Sequence, residues 1–155
     1  MKGHEKIIEN LNLLLKDELT AINQYFVHAE MCDNWGYEKL HKLVEKRAVD
    51  EMKHAEKLIK RILFLEGIPI VSELNKISIG AVVEDQYKKD LAAEENCIKL
   101  YNEGIRLSTE LKDGGTKELL DSIVVDEEKH TDWLDAQLTQ ISQMGIQNYL
   151  AGQIA

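Results

Sequence analysis

Apolar residues recur at intervals of three and four positions along four long stretches of this sequence. That spacing places them on one face of an α-helix, and stripes of this length pack together as a four-helix bundle. The 155-residue chain has one proline and 6% aromatic residues, so extended β-structure is not favoured. We therefore expect an all-α chain with a single domain, residues 1–155, built from four long helices and a short C-terminal fifth helix. The expected helices run over about residues 5–33, 38–65, 82–111, 116–144 and 146–153.

The connections between the helices predict their directions. DNWG, residues 33–36, and KDGG, residues 112–115, are short and contain glycine, so each joins two antiparallel helices. The connection over residues 66–80 is much longer, and at ~3.3 Å per extended residue it reaches ~50 Å. The second helix is only ~42 Å long. We expect this crossover to run the length of the bundle, so that helices two and three are parallel, and its apolar residues to pack against other parts of the protein.

Six acidic or histidine residues occupy stripe positions where an apolar residue is expected. They are Glu18, Glu51, His54, Glu94, Glu127 and His130. A buried carboxylate without a partner costs several kcal/mol or takes up a proton, so this set requires a specific reason. Glu18 and Glu51 are 33 residues apart, as are Glu94 and Glu127, and each pair is centred on one of the two short connections. Each hairpin therefore places one glutamate level with one Glu-x-x-His pair.

Four glutamates and two histidines that converge in a bundle core are typical of a site for two metal ions. Four carboxylates balance two divalent cations, and oxygen ligands with imidazole suit iron or manganese, with zinc as a competitor. We interpret Glu51 and Glu127 as bridging ligands and Glu18 and Glu94 as terminal ligands. The alternative is a solvated charged face, which the apolar neighbours in all four stripes disfavour.

Five other side chains call for interpretation. Glu38 and His41 form a third Glu-x-x-His pair, but they lie ~220° around the helix from the metal face, and we expect them on the surface. Tyr25 follows Glu18 by seven residues on the same face, where it can bind a ligand carboxylate, act in electron transfer or fill the core. Trp133 raises the same question, and His28 is expected on the helix surface.

Charge and cysteine content limit the partners and the location. The net charge of −9 argues against nucleic acid and anionic membranes as partners. No apolar run approaches the ~18 residues of a membrane span, and the first residues contain no signal peptide pattern. The two cysteines, Cys32 and Cys97, are isolated, so a cytoplasmic location is expected.

Three stretches carry a resemblance to a known family: LLKDELTAINQYFVHAEM, DEMKHAEKLIKRILFLEGIP and DEEKHTDWLDAQL. On these residues the chain resembles the bacterioferritins, the haem-containing branch of the ferritins, and the likeness covers nearly the whole chain. The resemblance implies a ferritin-like bundle that assembles into a hollow homo-oligomer of twenty-four subunits. It implies a ferroxidase that oxidises Fe(II) with O2 or H2O2 at a di-iron centre, and the six residues above match the family's ligands one by one. Ferric mineral is then stored inside the shell.

The same resemblance assigns a role to Met52, the residue after Glu51. In this family that methionine is an axial ligand of haem b, and one haem lies between two subunits across a two-fold axis. The outer positions Leu19, Ile22, Asn23 and Phe26 are expected to line that pocket. A small ferredoxin is the implied electron donor to the haem, for iron release.

One position departs from the family pattern. Some relatives build an inner-surface iron site from Asp50 and a histidine four residues earlier, where this chain has Lys46. We therefore do not expect that accessory site. The alternative functions are a di-metal oxidase or manganese catalase-like enzyme without storage, which needs neither Met52 nor the fifth helix, and a DNA-protecting mini-ferritin, which builds its metal site between subunits.

Overall fold

Five helices and their connections account for the whole chain in the computed structural model, which describes residues 1–155. The helices are α1 (Glu5–Asn34), α2 (Glu38–Phe64), α3 (Val83–Glu110), α4 (Gly114–Met144) and α5 (Ile146–Ala151). There are no strands, so the expected all-α fold class with four long helices and a short fifth helix is confirmed. None of the helices combines the length and the apolar composition needed to cross a bilayer.

Side-chain contacts define the packing of the four long helices. Helix α1 packs on α2 and α3 on α4 as two hairpins, and α1 also packs on α3. Helices α1 and α3 are antiparallel. Gln24 of α1 binds Asp90 of α3, whereas Glu18, earlier in α1, binds Tyr101, which is later in α3. Since α2 is antiparallel to α1, helices α2 and α3 are parallel, which is the direction expected from the long crossover.

Local chemistry explains where α4 begins. The carboxylate of Asp113 accepts a hydrogen bond from the backbone N–H of Thr116 at 3.0 Å, and it also binds Arg61 of α2 at 2.8 Å. A side-chain oxygen at this position satisfies a backbone donor that has no partner within the helix. The helix therefore starts at Gly114, two residues before the expected boundary.

The crossover is held to α1 by polar contacts with its backbone. Asn12 bonds to the backbone of Ile68 and Ile70, Thr20 accepts from the backbone of Asn75, and His28 accepts from the N–H of Gly80 at 3.0 Å. Within one chain the apolar side chains of the crossover pack only in part: Ile77 and Ile79 are half-buried, while Ile68 is 80% exposed and Val71 59% exposed. The exposed side chains leave an apolar surface facing outward.

His28 is fully buried, so the expectation that it lies on the helix surface is wrong. Its Nε2 accepts the Gly80 N–H, so the ring proton is on Nδ1, which lies 3.0 Å from a carboxylate oxygen of Asp90. Gln24 donates a second hydrogen bond to Asp90 at 2.9 Å. The imidazole thus joins α1, α3 and the end of the crossover around one buried carboxylate.

Helix α5 is attached to the rest of the chain through the phenol of Tyr149. Tyr149 is 1% exposed, and its hydroxyl lies 2.7 Å from the hydroxyl of Tyr87 on α3 and 2.7 Å from Gln137 on α4. The backbone of the next turn accepts from the N–H of Lys39, near the start of α2. These contacts fix the C-terminus to one end of the bundle.

We predict that His28→Ala lowers the free energy of unfolding by about 3 kcal/mol, because the buried Asp90 carboxylate loses a partner and Gly80 loses its acceptor. Chemical denaturation of the metal-free protein at fixed protein concentration measures this. Lys42→Ala, which removes an exposed ion pair with Glu38, is the control and costs less than about 0.5 kcal/mol. Equal stability of the two variants would contradict the role given to His28.

Candidate metal centre

Six side chains from all four long helices meet at mid-height in the bundle. Each is between 0 and 4% exposed: Glu18, Glu51, His54, Glu94, Glu127 and His130. Helices α1 and α3 each supply one glutamate, and α2 and α4 each supply a Glu-x-x-His pair. Leu14 and Leu15 lie one turn before Glu18 on α1, and Leu58 lies one turn after His54 on α2. These core residues enclose the cluster at one end. The structure therefore brings together the six residues that the sequence singled out.

The six residues form two overlapping groups of potential metal ligands. One group contains Glu18 and His54, the other contains Glu94 and His130, and Glu51 and Glu127 belong to both. Within each group the ligand atoms lie within 4.8 Å of one another. Glu51 and Glu127 each have two carboxylate oxygens and belong to both groups. Carboxylates that bridge two metal ions have this arrangement.

Several atoms of the cluster have no hydrogen-bond partner although they are buried. They are Oε2 of Glu18, Oε1 of Glu51, Nδ1 of His54, Oε2 of Glu94, both carboxylate oxygens of Glu127, and Nδ1 of His130. Buried polar atoms are nearly always paired, so seven such atoms at one point require an explanation. Nδ1 of His54 lies 2.8 Å from Oε1 of Glu127, and Nδ1 of His130 lies 3.0 Å from Oε1 of Glu51, in neither case with hydrogen-bond geometry. Ligand atoms that converge on a common ion have this geometry, so the donor set fits two divalent cations.

An aspartate from the opposite hairpin lies near the outer nitrogen of each imidazole. Nε2 of His54 on α2 forms a hydrogen bond with Oδ2 of Asp126 on α4 at 3.1 Å, whereas Nε2 of His130 on α4 lies 3.6 Å from Oδ2 of Asp50 on α2, beyond hydrogen-bond distance. The carboxylate of Asp126 keeps the proton on Nε2 of His54 and leaves Nδ1 as the electron-pair donor. Sequence reasoning missed this contact of Asp126, the aspartate of DEEKHTD.

Two buried phenols bind Glu18 and Glu94, the two glutamates that each belong to only one ligand group. Tyr25 of α1 donates to Oε1 of Glu94 at 2.5 Å, and Tyr101 of α3 donates to Oε1 of Glu18 at 2.7 Å. Of the possibilities left open for Tyr25, binding to a ligand carboxylate is the one found. Sequence reasoning missed Tyr101, although it follows Glu94 by seven residues, as Tyr25 follows Glu18.

Proton affinities in the cluster reflect the crowding of charge. Burial, followed by repulsion from neighbouring carboxylates, raises the pKa of Glu51 and of Glu94. Burial alone would raise the pKa of Glu127, but the side chains of Glu94, His130 and His54 lower it. Burial alone would lower the pKa of His54, but the carboxylates of Glu127 and Glu18 raise it to about 10. In the metal-free protein, protons therefore offset part of the buried negative charge.

The cluster is reached from two sides. On the α2 and α4 side, a cavity of about 590 Å³ leads to His54 and His130, and its lining has no apolar residue but includes Lys53, Asp126 and Lys129. On the α1 and α3 side, a cavity of about 30 Å³, with room for about one water, lies beside Asp17. Burial raises the pKa of Asp17 to about 6.

The other residues named from the sequence lie outside the cluster. Met52 is 47% exposed on the outer face of α2, as its position predicts. Asp50 approaches Arg47 and His130, while Lys46 is exposed. Trp133 packs edge-on against Tyr87 and under the guanidinium of Arg47, so it acts in packing at the end of the cluster.

A third group of potential ligands lies on the surface. It consists of Glu30, His41 and Glu45, with both carboxylates exposed to solvent. Nδ1 of His41 lies 3.0 Å from the backbone oxygen of Ala29, and Glu38 pairs instead with Lys42. Because water satisfies these carboxylates, nothing in this group requires a metal ion.

Comparisons with known proteins agree with the geometry. Residues 8–144 match a family model described as a ferritin-like domain. A bacterioferritin from Rhodobacter capsulatus is 40% identical over 149 residues, covering 96% of this chain and 92% of that protein. A bacterioferritin from Mycolicibacterium paratuberculosis is 40% identical over 151 residues, covering 97% and 95%. One from Mycobacterium tuberculosis is 39% identical over the same length and coverage.

We predict that metal binding releases protons, because the pKa values of Glu51, Glu94 and His54 are raised and a bound metal ion displaces protons from its ligands. A raised pKa keeps a proton on each group to a higher pH, so metal affinity falls as the pH is lowered from 8 to 5.5. Calorimetric titration of metal-free protein with Zn(II), in buffers of different ionisation enthalpy, measures the release. A binding heat that does not depend on the buffer would contradict this prediction.

Proposed function

We propose, since this chain belongs to the bacterioferritin family, that it is an iron-storage protein with ferroxidase activity. Fe(II) is the substrate, O2 or H2O2 is the oxidant, and ferric mineral inside an oligomeric shell is the product. The observation that carries the proposal is the set of seven buried, unpartnered ligand atoms arranged in two overlapping groups.

Each residue of the cluster has a distinct role in binding iron. Glu51 and Glu127 belong to both groups and bridge the two ions, while Glu18 with His54 and Glu94 with His130 complete one position each. The four carboxylates supply a charge of −4 and two Fe(II) supply +4, so a filled site is neutral. Oxygen ligands with one imidazole at each position suit iron.

The surrounding residues fix the geometry before iron arrives. Asp126 orients the imidazole of His54, Asp50 lies near that of His130, and the phenols of Tyr25 and Tyr101 each hold one oxygen of a terminal carboxylate. Two adjacent ions deliver two electrons to one oxidant molecule, which is the chemistry a di-iron centre supplies. The protein contributes positions for both ions and a core that keeps bulk water away from the carboxylates.

Storage requires a shell, and the exposed apolar surface supports assembly. Large apolar side chains of the crossover and of α2 face outward, among them Ile68, Val71, Leu74, Leu63 and Phe64. Surfaces of this kind mark contacts between proteins. We propose that they join twenty-four copies of the chain, with the polar cavity beside His54 and His130 opening toward the shell interior. Oxidised iron leaves the centre through that cavity.

The outer face of α1 and α2 supports a haem site between two subunits. The thioether of Met52 is exposed, with Val49 one turn earlier on α2 and Phe26 on α1 also exposed. Leu19 and Ile22 are partly buried at the edge of the same face. A soft sulfur donor within an apolar surface would suit a haem held by Met52 from each of two subunits, and a haem there would supply electrons for iron release.

An aerobic Fe(II) titration of metal-free protein tests the ferroxidase proposal. We expect a fast ferric absorbance phase that saturates at two iron ions per chain, followed by slower soluble uptake of further iron. His54→Ala lowers the initial rate by about tenfold or more, because one ion position loses its imidazole. His41→Ala, which alters the surface Glu-x-x-His pair, is the matched control and leaves the rate unchanged.

Other results of this titration distinguish the alternatives. Saturation at two iron ions followed by precipitation would favour a di-metal oxidase without storage. Oxidation no faster than in buffer would contradict the ferroxidase proposal altogether.

A second experiment tests the haem site. Protein purified with haem shows one haem per two chains by absorbance, and Met52→Leu loses it, because leucine has no sulfur to bind iron. Met144→Leu, which alters another exposed methionine, keeps the haem. Full haem content in Met52→Leu, with assembly intact by size-exclusion chromatography, would contradict the assignment.

A further inference from the structure

The two phenols beside the cluster are related by the internal symmetry of the bundle. In α1, Tyr25 follows Glu18 by seven residues, and in α3, Tyr101 follows Glu94 by seven residues. Each phenol crosses to the glutamate of the other helix, so Tyr25 binds Glu94 and Tyr101 binds Glu18. The two terminal carboxylates are thus held in the same way from opposite sides.

In Glu18 and Glu94 the two carboxylate oxygens have different surroundings, because only one of them accepts the hydrogen bond of a phenol. Oε1 of Glu18 accepts the hydrogen bond of Tyr101, while Oε2 is buried and has no partner. Oε1 of Glu94 accepts from Tyr25, and its Oε2 is likewise unpartnered. One oxygen is fixed by the protein, and the other is left for an ion.

The phenol of Tyr101 is completely buried, and Oε1 of Glu18 accepts its hydrogen bond at 2.7 Å. The thiol of Cys97 approaches the same oxygen at 3.9 Å, so it adds only a weak contact.

We propose that Tyr101 is a positioning residue that sets the affinity of one of the two metal positions, the one formed by Glu18 and His54. Tyr25 performs the same task for the position formed by Glu94 and His130. This inference rests on the proposed metal centre. Without the hydroxyl, Oε1 of Glu18 keeps only the weak contact with Cys97, so the orientation of its free oxygen toward the ion position is less fixed. Each phenol therefore sets the metal affinity of one position independently of the other.

Co(II) titration of metal-free protein, followed by visible absorption, tests this without relying on iron oxidation. The wild type binds two Co(II) per chain. Tyr101→Phe binds one Co(II) with unchanged affinity and the other about tenfold or more weakly. Anomalous diffraction at half-saturating Co(II) shows occupancy lost beside Glu18 and His54. Tyr25→Phe loses occupancy beside Glu94 and His130 instead.

Tyr87→Phe is the control, because it removes a buried phenol that binds Tyr149 and none of the six cluster residues, and both Co(II) affinities stay unchanged. Tyr101→Met serves as a second variant if Tyr101→Phe is less stable than this control. Unchanged affinity at both positions, or equal weakening of both, overturns the positioning role. No Co(II) uptake by the wild type overturns the metal centre itself, so the two failures are distinguishable.

Discussion

Four carboxylates buried in the core of one helical bundle are the constraint on which the rest of this structure depends. Ionised groups in an apolar interior cost far more than the few kcal/mol by which proteins are stable. Protons relieve part of this charge in the metal-free protein, as the raised pKa values of Glu51 and Glu94 indicate. Two divalent cations would balance the charge of all four carboxylates. The apolar residues around the cluster provide the stability that such a costly site requires.

Internal two-fold symmetry organises everything that touches the cluster. The α1–α2 hairpin and the α3–α4 hairpin supply equivalent ligands, equivalent phenols and equivalent aspartates. Every supporting contact crosses from one hairpin to the other: Tyr101 to Glu18, Tyr25 to Glu94, Asp126 to His54 and Asp50 to His130. Neither hairpin can therefore form a complete site alone, and metal binding is coupled to the docking of the two halves.

Helical periodicity was enough to predict the fold class and the residues that meet in the core. A glutamate or histidine in an apolar stripe has only one direction to face, so positions such as Glu18 and Glu51 follow from one helix at a time. The directions of α2 and α3 follow from the length of the crossover. Bridging and terminal roles remain a proposal, although the sharing of Glu51 and Glu127 by both ligand groups supports them.

Contacts between helices could not be predicted in the same way. Tyr101 and Asp126 reach across to other helices, and their partners depend on the relative height and rotation of those helices, which periodicity does not specify. His28 carries a charge-capable ring, which favours the surface on average, yet Asp90 and the backbone of Gly80 satisfy it in the core. Which apolar residues of the crossover face outward, such as Ile68, depends on how α1 binds the backbone of this segment, which helical periodicity does not specify.

X-ray diffraction from crystals soaked anaerobically in Fe(II) tests the metal centre most directly. An anomalous difference map at the iron edge should contain two peaks per chain, about 3.5–4 Å apart, as in two-metal sites generally. One peak should lie against Glu18 and His54 and the other against Glu94 and His130, with Glu51 and Glu127 between them. A map without peaks in the bundle core, or with iron only at the surface group of Glu30, His41 and Glu45, would contradict a di-iron centre in this protein.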